Sequence, residues 1–173
     1  EILKLLRKIG ASVEVVSRGG VLISRKAGYA TRDIIYSCSN ITTDEMQFLI
    51  DNNIIINLDS LTQVRKYGEL NPGGKISIRI NQGIGSGGHS HVITGGPDSK
   101  FGIDITQLND AKKLIKKYKL QLVGIHQHIG SNSLDEKILL KAVKVLLKTA
   151  KDFPDLDFID FGGGYGIAYR PGE

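Results

Sequence analysis

Residues 158–166 read Phe-Ile-Asp-Phe-Gly-Gly-Gly-Tyr-Gly. Phe158–Phe161 has the length and apolar content of a buried strand, and Gly162-Gly163-Gly164 follows it at once. Three successive residues without side chains let three peptide N–H groups turn towards an anion. The alternative use of such a run is a tight turn with close packing. A second strand of the same kind stands upstream, where Leu122-Val-Gly-Ile125 runs into His126-Gln-His128-Ile-Gly-Ser131. In both cases an apolar strand delivers glycine or polar residues at its C-terminal end.

The same pattern extends back through the chain. Val13–Val16, Ile34–Tyr36, Ile54–Asn57 and Ile76–Ile80 are further strand candidates, rich in Ile and Val. They read as mostly apolar on both faces, as parallel strands buried between two layers are. Helical periodicity fills the intervals, over 1–9, 19–27, 43–52, 60–68, 106–118 and 134–152. Capping boxes are expected at Thr42/Glu45, Ser60/Gln63 and Ser133/Glu136, where a hydroxyl and a carboxylate or amide three residues on satisfy the first backbone donors of a helix. Six β/α units predict an α/β fold with a parallel sheet. A doubly wound sheet and a barrel both fit that alternation. The barrel is favoured because polar or glycine residues crowd just after the strand ends, at Ser17, Ser37, Asp59, Asn81, His126/His128 and Gly162–Gly164, and a barrel brings those ends to one mouth. A closed (β/α)8 barrel uses eight strands and about 250 residues. Six units in 173 residues therefore predict a partial TIM barrel in a single domain. Glu1 falls inside a helical pattern and is not Met, so the chain is expected to be a fragment.

Composition narrows the function classes. Hydrophobic residues make up 40% of the chain, enough for one sizeable core. No apolar run approaches the length of a membrane span, and no signal peptide is visible. The formal charge is +5, but Lys137, Lys141, Lys144, Lys148 and Lys151 recur at helical spacing opposite Ile138, Ala142, Val145 and Leu146. That is a solvated helix face rather than a nucleic-acid surface, which would interleave exposed aromatics. Cys38 is the single cysteine, so no internal disulfide forms and a cytoplasmic setting fits. At the end of an apolar strand it reads as a buried thiol.

Several residues could carry chemistry. His126 and His128 lie two apart and share a face of their strand. They could contact a ligand, ligate a metal as in barrel hydrolases, with Asp160 as a further ligand, or serve as buried structural groups. Gly83-x-Gly85-x-x-Gly88 matches a dinucleotide fingerprint as a string, but His89-Ser-His91-Val follows instead of a helix, so it is set aside. Residues 81–100 form a long polar loop, and such loops in compact domains tend to be functional. Lys100 reads as a loop cation. Arg79 stands in an apolar strand and must find an acidic partner. Glu14 is the expected one, if both face the mouth.

Taken together, these residues resemble one family. Glu14-Val-Val-Ser17, Arg79-Ile-Asn81, His89-x5-Gly95-Gly-x-Asp98-Ser-Lys-Phe-Gly-Ile103, Gly124-Ile-His-x-His128-Ile-Gly-Ser131 and Asp160-x-Gly-Gly-Gly164 occur in the order and spacing of the pyridoxal-phosphate decarboxylases with an alanine-racemase-like barrel. The diaminopimelate branch is the most similar. The resemblance covers essentially the whole chain. It implies pyridoxal 5'-phosphate as cofactor, with His128 stacked on the pyridine ring, Ser131 and the N–H groups of Gly162, Gly163 and Gly164 on the phosphate, and Arg79 and Glu14 in a polar network beside it. No metal is implied. The implied reaction is decarboxylation of meso-2,6-diaminopimelate to L-lysine by a cytoplasmic homodimer. Decarboxylation of another basic amino acid or of carboxynorspermidine, and a metal-dependent hydrolase using His126 and His128, stay open beside it. The resemblance also places residues 1–173 as the central part of the barrel, strands two to seven. The first strand with its cofactor lysine, the last strand and a C-terminal β-domain then fall outside the chain, which alone is expected to be inactive. Ser17-Arg18-Gly19-Gly20 stands where the family has Ser-Gly-Gly-Glu, so Gly20 replaces a carboxylate.

Overall fold

The computed structural model describes residues 1–87, 94–96 and 99–170. Among the described residues there are seven strands: β1 (Val13–Val15), β2 (Ile34–Ser37), β3 (Ile55–Leu58), β4 (Lys75–Asn81), β5 (Ile103–Asp104), β6 (Gln121–His126) and β7 (Phe158–Asp160). All pair in parallel, in the order β1-β2-β3-β4-β6-β7, with the two-residue β5 added at the end of β4. Helices α1 (Ile2–Lys8), α2 (Arg18–Lys26), α3 (Thr43–Asp51), α4 (Leu61–Leu70), α5 (Leu108–Lys117) and α6 (Glu136–Ala150) alternate with the strands. This is the in-order parallel sheet of a partial (β/α)8 barrel, with β1 and β7 as its two edges.

The two faces of the sheet differ, which corrects the expectation of strands apolar on both. Ile34, Tyr36, Ile56, Leu58, Ile76, Ile78, Ile80 and Ile125 are buried and pack with Val21, Met46, Leu49, Val64, Ala111 and Leu146 of the helices. Each such side chain contributes about 1.5–3 kcal/mol by leaving water. The alternate positions carry Glu14, Ser37, Asn57, Ser77, Arg79, His126 and Asp160. Register aligns these across neighbours: Ser37 with Asn57, Asn57 with Ser77, Arg79 with His126, and His126 with Asp160. The lumen is therefore polar near its mouth. Lower down it is filled by an aromatic ring. Gly124 pairs with Phe158, and a Cβ at 124 would overlap that ring.

Caps fix where the helices begin. Thr42 and Glu45 form a reciprocal capping box on α3. The Ser60 hydroxyl accepts from Gln63 N as expected, but the Gln63 amide oxygen accepts from Asp59 N, and its nitrogen donates to the carbonyls of Cys38 and Ser39. Gln63 thus ties the β2 and β3 loops together instead of closing a box. At α6 the cap is Asp135, accepting from Lys137 N and Ile138 N. Ser133 is buried away from the helix, with its hydroxyl 2.6 Å from that of Ser86. None of the residues of α1 is buried.

Candidate functional site

The C-terminal strand ends enclose a cavity of about 470 Å3 lined by Glu14, Ser37, Cys38, Asn57, Asp59, Arg79, Phe101, His126, His128 and Gly162, among others. Of the residues expected at the barrel mouth, Ser37, Asp59, His126, His128 and Gly162 line this cavity, whereas Ser17 caps α2 and Asn81 donates to the Gly96 carbonyl. Cys38 is half-buried and lines this cavity, which corrects the expectation of a thiol sunk in the core.

Arg79 is the cation of the site. Its partner is Asp59, with Nη1 3.8 Å from Oδ1, and both side chains are largely buried, 14% and 8% exposed. Leu58 pairs with Ile78, so Asp59 and Arg79 follow side by side on adjacent strands. Glu14, the expected partner, is on edge strand β1. It reaches Arg79 only through space, adding its field to that of Asp59 against the burial that lowers the pKa of Arg79. Arg79 Nη2 also donates to the carbonyls of Thr94 and His128, at 3.3 and 3.1 Å, and its guanidinium lies 5.0 Å from the Phe101 ring centroid. Asp59 Oδ1 accepts from Gly102 N at 3.0 Å. This one ion pair therefore ties together the ends of β3 and β4, the turn after β6, Thr94 of the long polar loop and Phe101-Gly102 just beyond it. His89, His91 and Asp98 of that loop lie outside the described residues.

The two histidines have different tasks. His128 Nδ1 donates to the carbonyl of Gly162 at 2.7 Å, which fixes its ring against the glycine arm. His126 is buried, with Nδ1 2.8 Å from the Asn57 amide nitrogen. Burial, and then the positive charge of Arg79, push its pKa down to about 4, with Glu14 opposing. The ligating atoms of Glu14, His126 and Asp160 lie within 4.8 Å of one another. A metal reading based on His126 and His128 thus meets a different trio, and His128 is turned to Gly162 instead. Glu14 and Asp160 sit on the two edge strands, and only the curl of the sheet brings them together. No sequence spacing signals that.

The glycine arm is in the left-handed region at all three residues, with φ of 78°, 72° and 79° at Gly162, Gly163 and Gly164. A Cβ at Gly162 would overlap the carbonyl of Gln127, and one at Gly164 the carbonyl of Gly130, whereas Gly163 faces open space. The Gly162 N–H donates to Asp160 Oδ1 at 2.7 Å. Those of Gly163 and Gly164 donate to nothing among the described residues. Ser131 is exposed on the neighbouring turn, and its hydroxyl makes no hydrogen bond among the described residues. Two unengaged amides on a left-handed arm next to a free hydroxyl are a natural seat for an anion. Lys100 is exposed, 5.2 Å from the Phe101 ring, in keeping with a loop cation.

An open β/α barrel with a polar lumen and an anion seat after its last strand defines the class: a ligand-binding barrel of the kind that hosts phosphorylated cofactors. The chain belongs to the pyridoxal-dependent decarboxylase family, whose pyridoxal binding domain matches it over residues 1–173. It is 36% identical to the diaminopimelate decarboxylase of Methanothermobacter thermautotrophicus over 99% of this chain and 42% of that protein. It is 34% identical to the Escherichia coli K12 diaminopimelate decarboxylase over the same shares. Among solved structures, diaminopimelate decarboxylase from Helicobacter pylori complexed with L-lysine superposes with a TM-score of 0.88 at 31% identity, over 99% of this chain and 46% of that one. The chain therefore spans less than half the length of these relatives.

Proposed function

We propose that residues 1–173 form the central part of a pyridoxal 5'-phosphate-binding (β/α)8 barrel domain, and that the whole protein decarboxylates meso-2,6-diaminopimelate to L-lysine. One observation carries the substrate: similarity to diaminopimelate decarboxylases over nearly the whole chain at 36% and 34% identity. In this reading the barrel's first and last strands and a C-terminal β-domain lie outside residues 1–173, in line with the share of each relative that the chain covers. The whole protein is a cytoplasmic homodimer with a small amino-acid substrate and no nucleic-acid or membrane partner. No helix among the described residues is long and apolar enough to cross a membrane.

The residues present fit the cofactor. A phosphate would sit on the unengaged N–H groups of Gly163 and Gly164 and on the Ser131 hydroxyl. Gly162 keeps a different task, because its N–H holds Asp160 and its carbonyl holds His128. His128, fixed through Nδ1, would present its ring face to the pyridine. Arg79 and Asp59 hold the His128 carbonyl and the Phe101 loop in place, and Glu14 adds negative charge to the same lumen. When bound, pyridoxal phosphate supplies an electron sink for the pair released as carbon dioxide leaves. Borohydride reduction of the protein with its cofactor, followed by peptide mapping, tests the assignment. Labelling is expected at a lysine outside residues 1–173. Stoichiometric labelling of Lys100 or of any other lysine in this stretch would overturn it. Assay of carbon dioxide release from meso-diaminopimelate, ornithine and carboxynorspermidine tests the substrate.

A further inference from the structure

We infer that Asn57 is a positioning residue: backed by Ser77 and Ser37, it holds His126 as the neutral Nε2–H tautomer and thereby keeps Asp160, Gly162 and His128 in line. The last link, from His128 to a bound ring, rests on the pyridoxal-phosphate reading above. The earlier links are read from the lumen itself.

Asn57 is buried on the inner face of β3. Its amide nitrogen donates to the Ser37 hydroxyl at 3.1 Å and approaches His126 Nδ1 at 2.8 Å, while its amide oxygen accepts from the Ser77 hydroxyl at 3.0 Å. Hydroxyls can donate or accept, so the serines alone would tolerate either orientation of the amide. The charges around His126 remove that freedom. Glu14 and Asp160 present carboxylates within 4.8 Å of a ring nitrogen, while Arg79 and His128 face it from β4 and from the end of its own strand. A ring that accepts at both nitrogens does not exist. A ring that carries its proton on Nδ1 would turn a lone pair towards the carboxylates. With the proton on Nε2, the N–H points to negative charge and Nδ1 accepts from Asn57. The Asn57 amide and His126 Nδ1 are then satisfied together, as buried groups require. The depressed pKa of His126 keeps the ring neutral at ordinary pH.

The consequence runs to the mouth. Asp160, facing His126, takes the Gly162 N–H at 2.7 Å, and the Gly162 carbonyl takes His128 Nδ1 at 2.7 Å. The alignment of His128 thus depends on a chain that begins at Asn57. The same tautomer argues against a divalent cation among Glu14, His126 and Asp160, because Nδ1 is engaged and Nε2 has no lone pair to offer.

Histidine 15N spectra of the intact protein read the tautomer directly, without cofactor. The His126 signals, assigned by their loss in His126→Gln, are expected to show the Nε2–H pattern, unchanged between about pH 6 and 8. Asn57→Leu should mix the tautomers and raise the dissociation constant for pyridoxal phosphate about 10-fold. Ser77→Ala should act in the same direction, about 3-fold, and it removes only a hydroxyl, so it decides the matter if Asn57→Leu does not fold. An Nδ1–H pattern in the wild type would overturn the inference. So would unchanged tautomer and affinity in a folded Asn57→Leu, or in Ser77→Ala where Asn57→Leu does not fold. A wild type with the expected tautomer but no pyridoxal-phosphate binding would overturn the cofactor reading and the last link alone. The two failures are thereby separated.

Discussion

Replacing Arg79 with Met removes a buried cation from the point where five segments meet. Met fills similar volume, so packing is largely kept and the loss is electrostatic. Asp59, 8% exposed, would be left as a buried carboxylate with one hydrogen bond, from Gly102 N. Breaking a buried pair by removing one partner costs about 3–5 kcal/mol. The carbonyls of Thr94 and His128 also lose their guanidinium donor, although His128 O keeps the Thr94 hydroxyl at 3.2 Å. These effects share one side chain and do not add, so about 3–5 kcal/mol is expected in total. Asp59→Asn should cost less, because the amide oxygen can still accept from Gly102 N. The double variant closes the cycle. If the pair acts as a unit, the double change costs less than the sum of the single changes by about 1–3 kcal/mol. Denaturant midpoints at constant slope measure all three in the intact protein. Additivity within about 0.5 kcal/mol, or an Arg79→Met cost no larger than that of an exposed substitution, would refute the claim that this pair organises the mouth.

Further outcomes are expected. His126 is held neutral down to about pH 4, whereas the unfolded chain protonates it below about 6.5. Between those values the unfolded state binds more protons, so stability falls on acidification, by about 2 kcal/mol from this group on going from pH 7 to 5. His126→Gln should remove that part of the slope in melts across this range. Gly164→Ala should be more damaging than Gly163→Ala. Both carry a left-handed backbone cost of about 1–2 kcal/mol, but only at 164 does the new methyl overlap the Gly130 carbonyl. Parallel melts and cofactor titrations rank the two. Residues 1–173 expressed alone should aggregate, because β1 and β7 each pair on one side only among the described residues and leave backbone groups open. A sharp cooperative melt of a monomer, with clean light scattering, would contradict this.

The fold was largely legible because each strand is followed by a turn of different chemistry. Strand positions fell within a residue or two of those read from the apolar runs, and Thr42-x-x-Glu45 marked the start of α3 correctly. Two-residue β5 was missed, since Ile103-Asp104 is too short to show a period. Ser133 and Glu136 have the spacing of a cap, yet Asp135 supplies it. Ser133 is needed instead against Ser86, a contact between residues 47 apart in the chain.

The site was legible in its parts and not in its pairings. His128, Ser131 and the glycine arm stand out because their residue types are conspicuous beside apolar strands. Asp59 was visible as a strand-end residue but not as the partner of Arg79, because only the β3–β4 register sets them side by side. The polar lumen was overlooked for a related reason. Each short strand shows only one or two inward polar residues, such as Asn57 in Ile-Ile-Asn-Leu, which alone reads as a strand terminus. Stacked by register, those single residues become a continuous layer from Ser37 through Asn57 and Ser77 to Arg79, His126 and Asp160. A strand with one apolar face belongs to an antiparallel sheet or to a barrel with a polar lumen. Here every pairing is parallel, so the sheet must curl to keep that layer from open solvent while its apolar face stays covered by helices. Polar alternation in short parallel strands is thus a sequence signal for a barrel that binds something inside. In this chain it points to the same lumen that holds His126 and, through Asp160 and Gly162, the anion seat.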